Sequence, residues 1–166
     1  MKTISVFMGV RRLLALILGH LAVSCWFFPS LALKLHELRG VQFKDRRSVF
    51  LGRGVLIDNR YPELIEIGAD VWLTAGCVIL SHSLMSDTQR DRAGMREQVR
   101  AVTIGAGVFI GVRSIICPGT QIGEGCYIAA GSVVRGRLRP YSLYAGNPAS
   151  LIRPLTASGG DPAKVA

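Results

Sequence analysis

Few groups in this 166-residue chain are able to do chemistry: three histidines, four cysteines and eleven carboxylates. His20 lies in an apolar stretch, and His36 lies in the basic segment that follows it. His82 stands apart, directly after Val78-Ile79-Leu80 and at the mouth of a polar excursion over residues 83–100. An imidazole titrates near neutral pH, so a histidine at the edge of a rigid element suits a general base. It would take the proton of a hydroxyl or amine as that group attacks a thioester, an effect of ~10²–10⁴-fold. A packed or solvated histidine is the commoner case, and the long loop beside His82 is what weighs against it. No Gly-x-Ser-x-Gly elbow is present and no cysteine adjoins a histidine, so a covalent mechanism has less support. A zinc site would need all three histidines to converge from separate regions, and no metal is expected. Cys25, Cys77, Cys117 and Cys126 lack CxxC spacing and read as small buried hydrophobes in a reducing compartment.

The element that positions His82 is a repeat. Ile104, Ile110, Ile116, Ile122, Ile128 and Val134 recur every sixth residue. Small residues follow them (Gly105, Gly111, Cys117, Gly123, Ala129), and small or β-branched ones stand four places on (Val108, Ser114, Thr120, Cys126, Ser132). A period of six is neither the two of an ordinary strand nor the 3.6 of a helix. It predicts an all-β chain, a parallel β-helix of hexapeptide repeats in which three hexapeptides form one coil. Ile67, Leu73 and Ile79 are in phase upstream, as are Leu51 and Ile57, with about four residues inserted around Arg60–Glu63. Four to five coils are expected over roughly residues 45–140, with Ile104, Ile122 and Pro140 stacked along one edge.

One domain fits the length. The expected divisions are an N-terminal apolar and basic helical segment (1–44), the β-helix with its loop 83–100 (45–153), and a disordered small-residue tail (154–166). Net charge is +9, and residues 1–47 hold eight basic and two acidic residues, so +6 lies there. Such a bias beside apolar sequence fits either an anionic membrane surface or a solvated basic face. The run 13–33 is long enough to span a bilayer, but Pro29 would kink or end a helix near Phe28. A membrane helix or interfacial anchor, a pair of helices packed on the end of the β-helix, and a signal peptide all remain open; cleavage is the least favoured, because the chemistry needs a cytoplasmic cofactor. Nucleic acid is not an expected partner, with no recognised motif and aromatics at only 7%.

These repeats, the ILSHS segment containing His82, the stretch IGAGVFIGVRSIICPGTQIGEGCYIAAGSVV and the closing YAGNPASLIR resemble the hexapeptide-repeat acyltransferases. The resemblance is to the maltose/galactoside O-acetyltransferase branch and its relatives in exopolysaccharide synthesis, over about residues 48–153. It implies a left-handed β-helix, a homotrimer, and acetyl-CoA as acyl donor in a groove between subunits. It implies His82 as the base and a sugar or lipid-linked glycan precursor as acceptor. Separately, the need for a cytoplasmic cofactor and the apolar run 13–33 give the expectation of a cytoplasmic protein associated with a membrane through that run. Donor contacts carry over to Gly111, Arg113, Ala130 and Gly131, and CoA phosphate contacts to Arg135, Arg137 and Arg153. Asp58 resembles a residue that faces the acceptor; it would bind a sugar hydroxyl or orient His82, or else simply form a turn. Arg135, Gly136 and Ser150 depart from the usual Thr, Lys and basic tail residue, so the phosphate contacts are rearranged or weaker. The competing expectation is a non-catalytic trimeric β-helix scaffold in a glycan-assembly complex. Serine acetyltransferases resemble it less, since they usually carry a larger helical N-terminal domain.

Overall fold

The computed structural model describes residues 2–25 and 27–155. Short parallel strands wind around a three-faced prism. The first face carries Gln42–Phe43, Ile65–Ile67, Val102–Ile104, Gln121–Ile122 and Arg137–Leu138. The second carries Phe50–Leu51, Trp72–Leu73, Phe109–Ile110, Tyr127–Ile128 and Ser142–Gly146, closed by the antiparallel strand Ala149–Pro154. The third carries Leu56–Ile57, Val78–Ile79, Ile115–Ile116 and Val133–Val134. In-phase aliphatics fall in register: Ile57, Ile79, Ile116 and Val134 stack on the third face, and each is buried. Burying an isoleucine side chain contributes roughly 1.5–3 kcal/mol, and the stack repeats that gain at every coil.

Small residues at the corners follow from coil spacing. A Cβ on Gly111 would meet the Ala130 backbone nitrogen of the next coil, and one on Gly105 would come within 2.7 Å of the Glu124 nitrogen. The stack on the first face differs from expectation at its end: Ile122 pairs with Leu138, and Pro140 lies outside the stack. The corner after Val134 is only Arg135-Gly136, with Gly136 at φ +78°, so the last coil is two residues short. The four-residue insertion after Ile57 contains the single helical turn Pro62–Leu64.

The N-terminal run forms two helices, α1 (Lys2–Ser24) and α2 (Pro29–Leu38), with Pro29 opening the second. Proline suits the first helical turn, where its missing N–H is not needed. No helix among the described residues is long and apolar enough to cross a membrane, which overturns the spanning option for residues 13–33. Instead α2 buries Ala32, Leu33 and His36 against the first coil. Strand N–H groups donate to the following coil, as from Leu56 to Cys77 O and from Asp58 to Ile79 O. The first coil's carbonyls are therefore left facing the cap. Arg39, buried at the end of α2, donates to Ile57 O (2.7 Å) and Asp58 O (2.6 Å) and so answers the edge that a β-helix exposes.

The excursion 83–100 has its own structure. His82–Ser83 pairs antiparallel with Gln98–Val99, and between them lies α3 (Asp87–Ala93), started by a Ser86/Gln89 capping box and ended at Gly94. Pro154 ends the last strand and the Leu155 N–H bonds Tyr141 O, so the start of the expected tail is ordered; residues 156–166 lie outside the described residues.

Candidate active site

Asp58 and His82 both leave the third face at its corner with the first, one coil apart. The inserted turn after Ile57 lets the chain at Asp58 fold back on itself. Asp58 Oδ1 accepts from the N–H groups of Arg60 (2.7 Å) and Tyr61 (3.3 Å). Its Oδ2 accepts from the Ser81 N–H (2.8 Å), the Ser81 hydroxyl (2.9 Å) and the His82 N–H (3.1 Å), and lies 2.5 Å from His82 Nδ1. Burial by itself would raise the Asp58 pKa. The hydrogen bonds from His82, Arg60 and Ser81 outweigh it and hold the carboxyl below its ordinary value. An ionised carboxylate only accepts, so His82 Nδ1 is the donor in this contact and Nε2 is the ring nitrogen that Asp58 does not engage. The Tyr61 ring packs edge-on against the imidazole at 5.6 Å. The His82 side chain keeps 16% exposure while that of Asp58 has none.

Of the roles open to Asp58, these contacts match that of orienting His82, since both carboxylate oxygens are engaged by protein donors. A cavity of about 470 Å³ opens above His82, lined also by Asn59, Arg60 and, from α1, by Arg12 and Leu16. Gly19 lets α1 approach, since a Cβ there would meet the Asn59 side-chain oxygen.

The expected donor residues divide between two edges of the prism. Gly111, Arg113, Ala130 and Gly131 lie where the second face turns into the third. Arg135 lies on the edge shared with Asp58 and His82, and Arg153 lies on the closing strand of the second face. The Gly111 N–H bonds Ile128 O (2.8 Å) and is buried, so its small size serves coil packing and it offers no donor to a ligand. Ala130 and Gly131 are exposed, and a Cβ on Gly131 would meet nothing within 4 Å. That corner of small residues is open, with exposed Arg113 beside it. Arg153 donates at 3.4 Å to Pro154 O and is half-buried.

Two residues escaped the sequence reading. Ser81 gives both its donors to Asp58, and it stands in the quoted segment next to His82. Arg39 holds the Asp58 carbonyl and the Asn59 side chain (3.2 Å) from α2; a lone arginine in a basic stretch carried no signal.

Residues 101–136 match the bacterial transferase hexapeptide (six repeats) family. A Mycobacterium tuberculosis protein named as a probable acetyltransferase is 34% identical over 125 residues, 73% of this chain. The chain spans only 39% of that relative's length. The fold is shared with a maltose O-acetyltransferase of Clostridium difficile 630 (TM-score 0.68, 22% identity, 90% of this chain and 89% of the other). It is likewise shared with a hexapeptide-repeat acetyltransferase of Vibrio cholerae complexed with acetyl coenzyme A (TM-score 0.65, 22% identity, 89% and 88%). The chain is thus a hexapeptide-repeat protein with a left-handed parallel β-helix.

Proposed function

We propose that this protein is an acetyl-CoA-dependent O-acetyltransferase acting on a sugar hydroxyl of a glycan or lipid-linked precursor, with His82 as the base. The observation that carries this is the Asp58–His82 pair, 2.5 Å apart at the floor of an open cavity. Acetyl-CoA supplies an acetyl group already activated as a thioester. His82 Nε2 takes the proton from the acceptor hydroxyl as its oxygen forms the new C–O bond. Asp58 holds the ring and offsets the imidazolium charge. As the C–S bond breaks, His82 returns the proton to the departing sulfur, so the products are an O-acetyl ester and the free thiol. The names of the relatives support acetyl transfer, and the small, open Ala130–Gly131 corner supports the donor's path.

The base and the donor corner lie on different edges of one prism, which supports a site completed by a second subunit and hence the homotrimer. The second face adds to this: Phe50, Trp72, Phe109 and Tyr127 form an outward ladder, with Phe50–Trp72 and Phe109–Tyr127 stacked at 5.0 and 4.6 Å. A cytoplasmic membrane-surface location is supported by exposed Leu13, Leu14, Ile17 and Leu21 on α1 beside the N-terminal charge of +6. Flotation with vesicles of anionic lipid checks that last point; protein left wholly in the dense fraction contradicts it. For the reaction, the protein is incubated with acetyl-CoA and a sugar panel. Mass spectrometry should find an acetylated sugar and one free thiol per product. Absence of both CoA binding and product would favour the scaffold reading instead.

A further inference from the structure

We propose that the cavity above His82 is built for an acceptor bearing an anionic group, a phosphate or carboxylate, gripped by Arg12 and Arg60. This rests on the acetyl-transfer reading of that same site and names its substrate class. Arg12, Leu16 and Gly19 are spaced i, i+4 and i+7, so they share one face of α1. Gly19 is buried against Asn59, which turns that face toward the cavity and sets Arg12 over its mouth. Arg60 lines the same cavity from the turn that also presents Asp58, with its guanidinium carbon 5.6 Å from the Tyr61 ring centroid.

The carboxylates around these two cations do not neutralise them. Asp58 has its charge consumed by His82 and four other donors, all from the protein. Glu97, on the loop, reaches Arg60 only at 3.7 Å in a partly exposed pair. Glu63 lines an adjoining cavity that Arg12 and Arg60 also border, and it forms no ion pair with either among the described residues. Arg12 makes no ion pair among the described residues. The other lining residues are Leu16, Leu56, Leu80 and Asn59 beside the Asp58–His82 pair, so the two guanidiniums face a largely apolar hollow in which a neutral sugar offers them no counter-charge. Guanidinium forks match phosphate and carboxylate in a bidentate way, and such bonds strengthen as water is excluded. The same chemistry would suit the phosphates of the donor, so the two sources must be separated.

The test is a titration of the His82 ring resonance, assigned with His82→Gln, using glucose 6-phosphate, glucose, inorganic phosphate and 3′,5′-adenosine diphosphate. Glucose 6-phosphate should bind about tenfold or more tightly than glucose, and inorganic phosphate should shift the same resonance. Both effects should fall about tenfold in Arg12→Gln and in Arg60→Gln, with 3′,5′-adenosine diphosphate binding unchanged. Arg12 is exposed, so its replacement spares the fold. Equal affinity for glucose and its phosphate would overturn the proposal. So would variants that keep the preference, or variants that weaken 3′,5′-adenosine diphosphate instead, which would assign the arginines to the donor. Acetyl transfer independent of His82 would sink the underlying reaction while leaving this anion selectivity intact.

Discussion

Asp58 and His82 are 24 residues apart in sequence and meet through a single oxygen, Asp58 Oδ2, which also fixes the backbone at Ser81 and His82. Asp58→Asn presents a donor or a weaker acceptor to Nδ1, so the ring loses its tautomer and orientation. The expected result is a kcat lower by ~10²-fold or more with acetyl-CoA affinity preserved, read from initial rates and calorimetry. Unchanged kcat would make the pair merely structural. His36 offers a test of stability. Burial, reinforced by the Arg39 charge, lowers its pKa from 6.5 to about 3, and its Nδ1 accepts from Arg39 Nε at 2.9 Å. The unfolded chain then binds a proton that the fold refuses. Stability present above about pH 6.5 is therefore lost as pH falls toward about 3, at roughly 1.4 kcal/mol per pH unit. His36→Gln keeps an acceptor for Arg39 without that titration. Its denaturant midpoint should vary less with pH between about 6.5 and about 4. Parallel curves would show that His36 is not held neutral.

At the scale of elements, the corner glycines separate packing from ligand contact. Gly111→Ala forces a Cβ against the Ala130 nitrogen and should lower the melting temperature, by about 1–3 kcal/mol of stability. An equal melting temperature would mean that the coils spread apart to admit it. The coils themselves were legible because a six-residue period of isoleucines leaves little other way to bury them. The register at Leu138 was not: a two-residue corner at Arg135-Gly136 depends on a positive φ that spacing alone does not reveal. The location of His82 at a coil edge could be read, since the period stops directly after it. The sequence leaves the role of Asp58 open between three. Only the fold shows that the four-residue insertion around Arg60–Glu63 turns the chain so that Arg60 and Tyr61 bond the carboxylate. Arg39 is a long-range cap on the first coil, and nothing local in its neighbourhood marks it as such.

For the whole molecule, the proposed base and donor corner lie on two edges, so the proposed activity requires assembly. Sedimentation should give a mass near three times the 18.0 kDa chain. Trp72→Glu should shift it toward the monomer and lower acetyl transfer in parallel, because Trp72 points outward from the aromatic ladder with 47% exposure. A fully active monomer would contradict a site shared between subunits. The central claim is narrower, that the imidazole of His82 removes the acceptor proton. The measurement that reaches it most directly is kcat for thiol release in wild type and His82→Ala, with acetyl-CoA affinity measured alongside. The expected result is a fall in kcat of ~10²–10⁴-fold at unchanged affinity; equal kcat in the two proteins would contradict it.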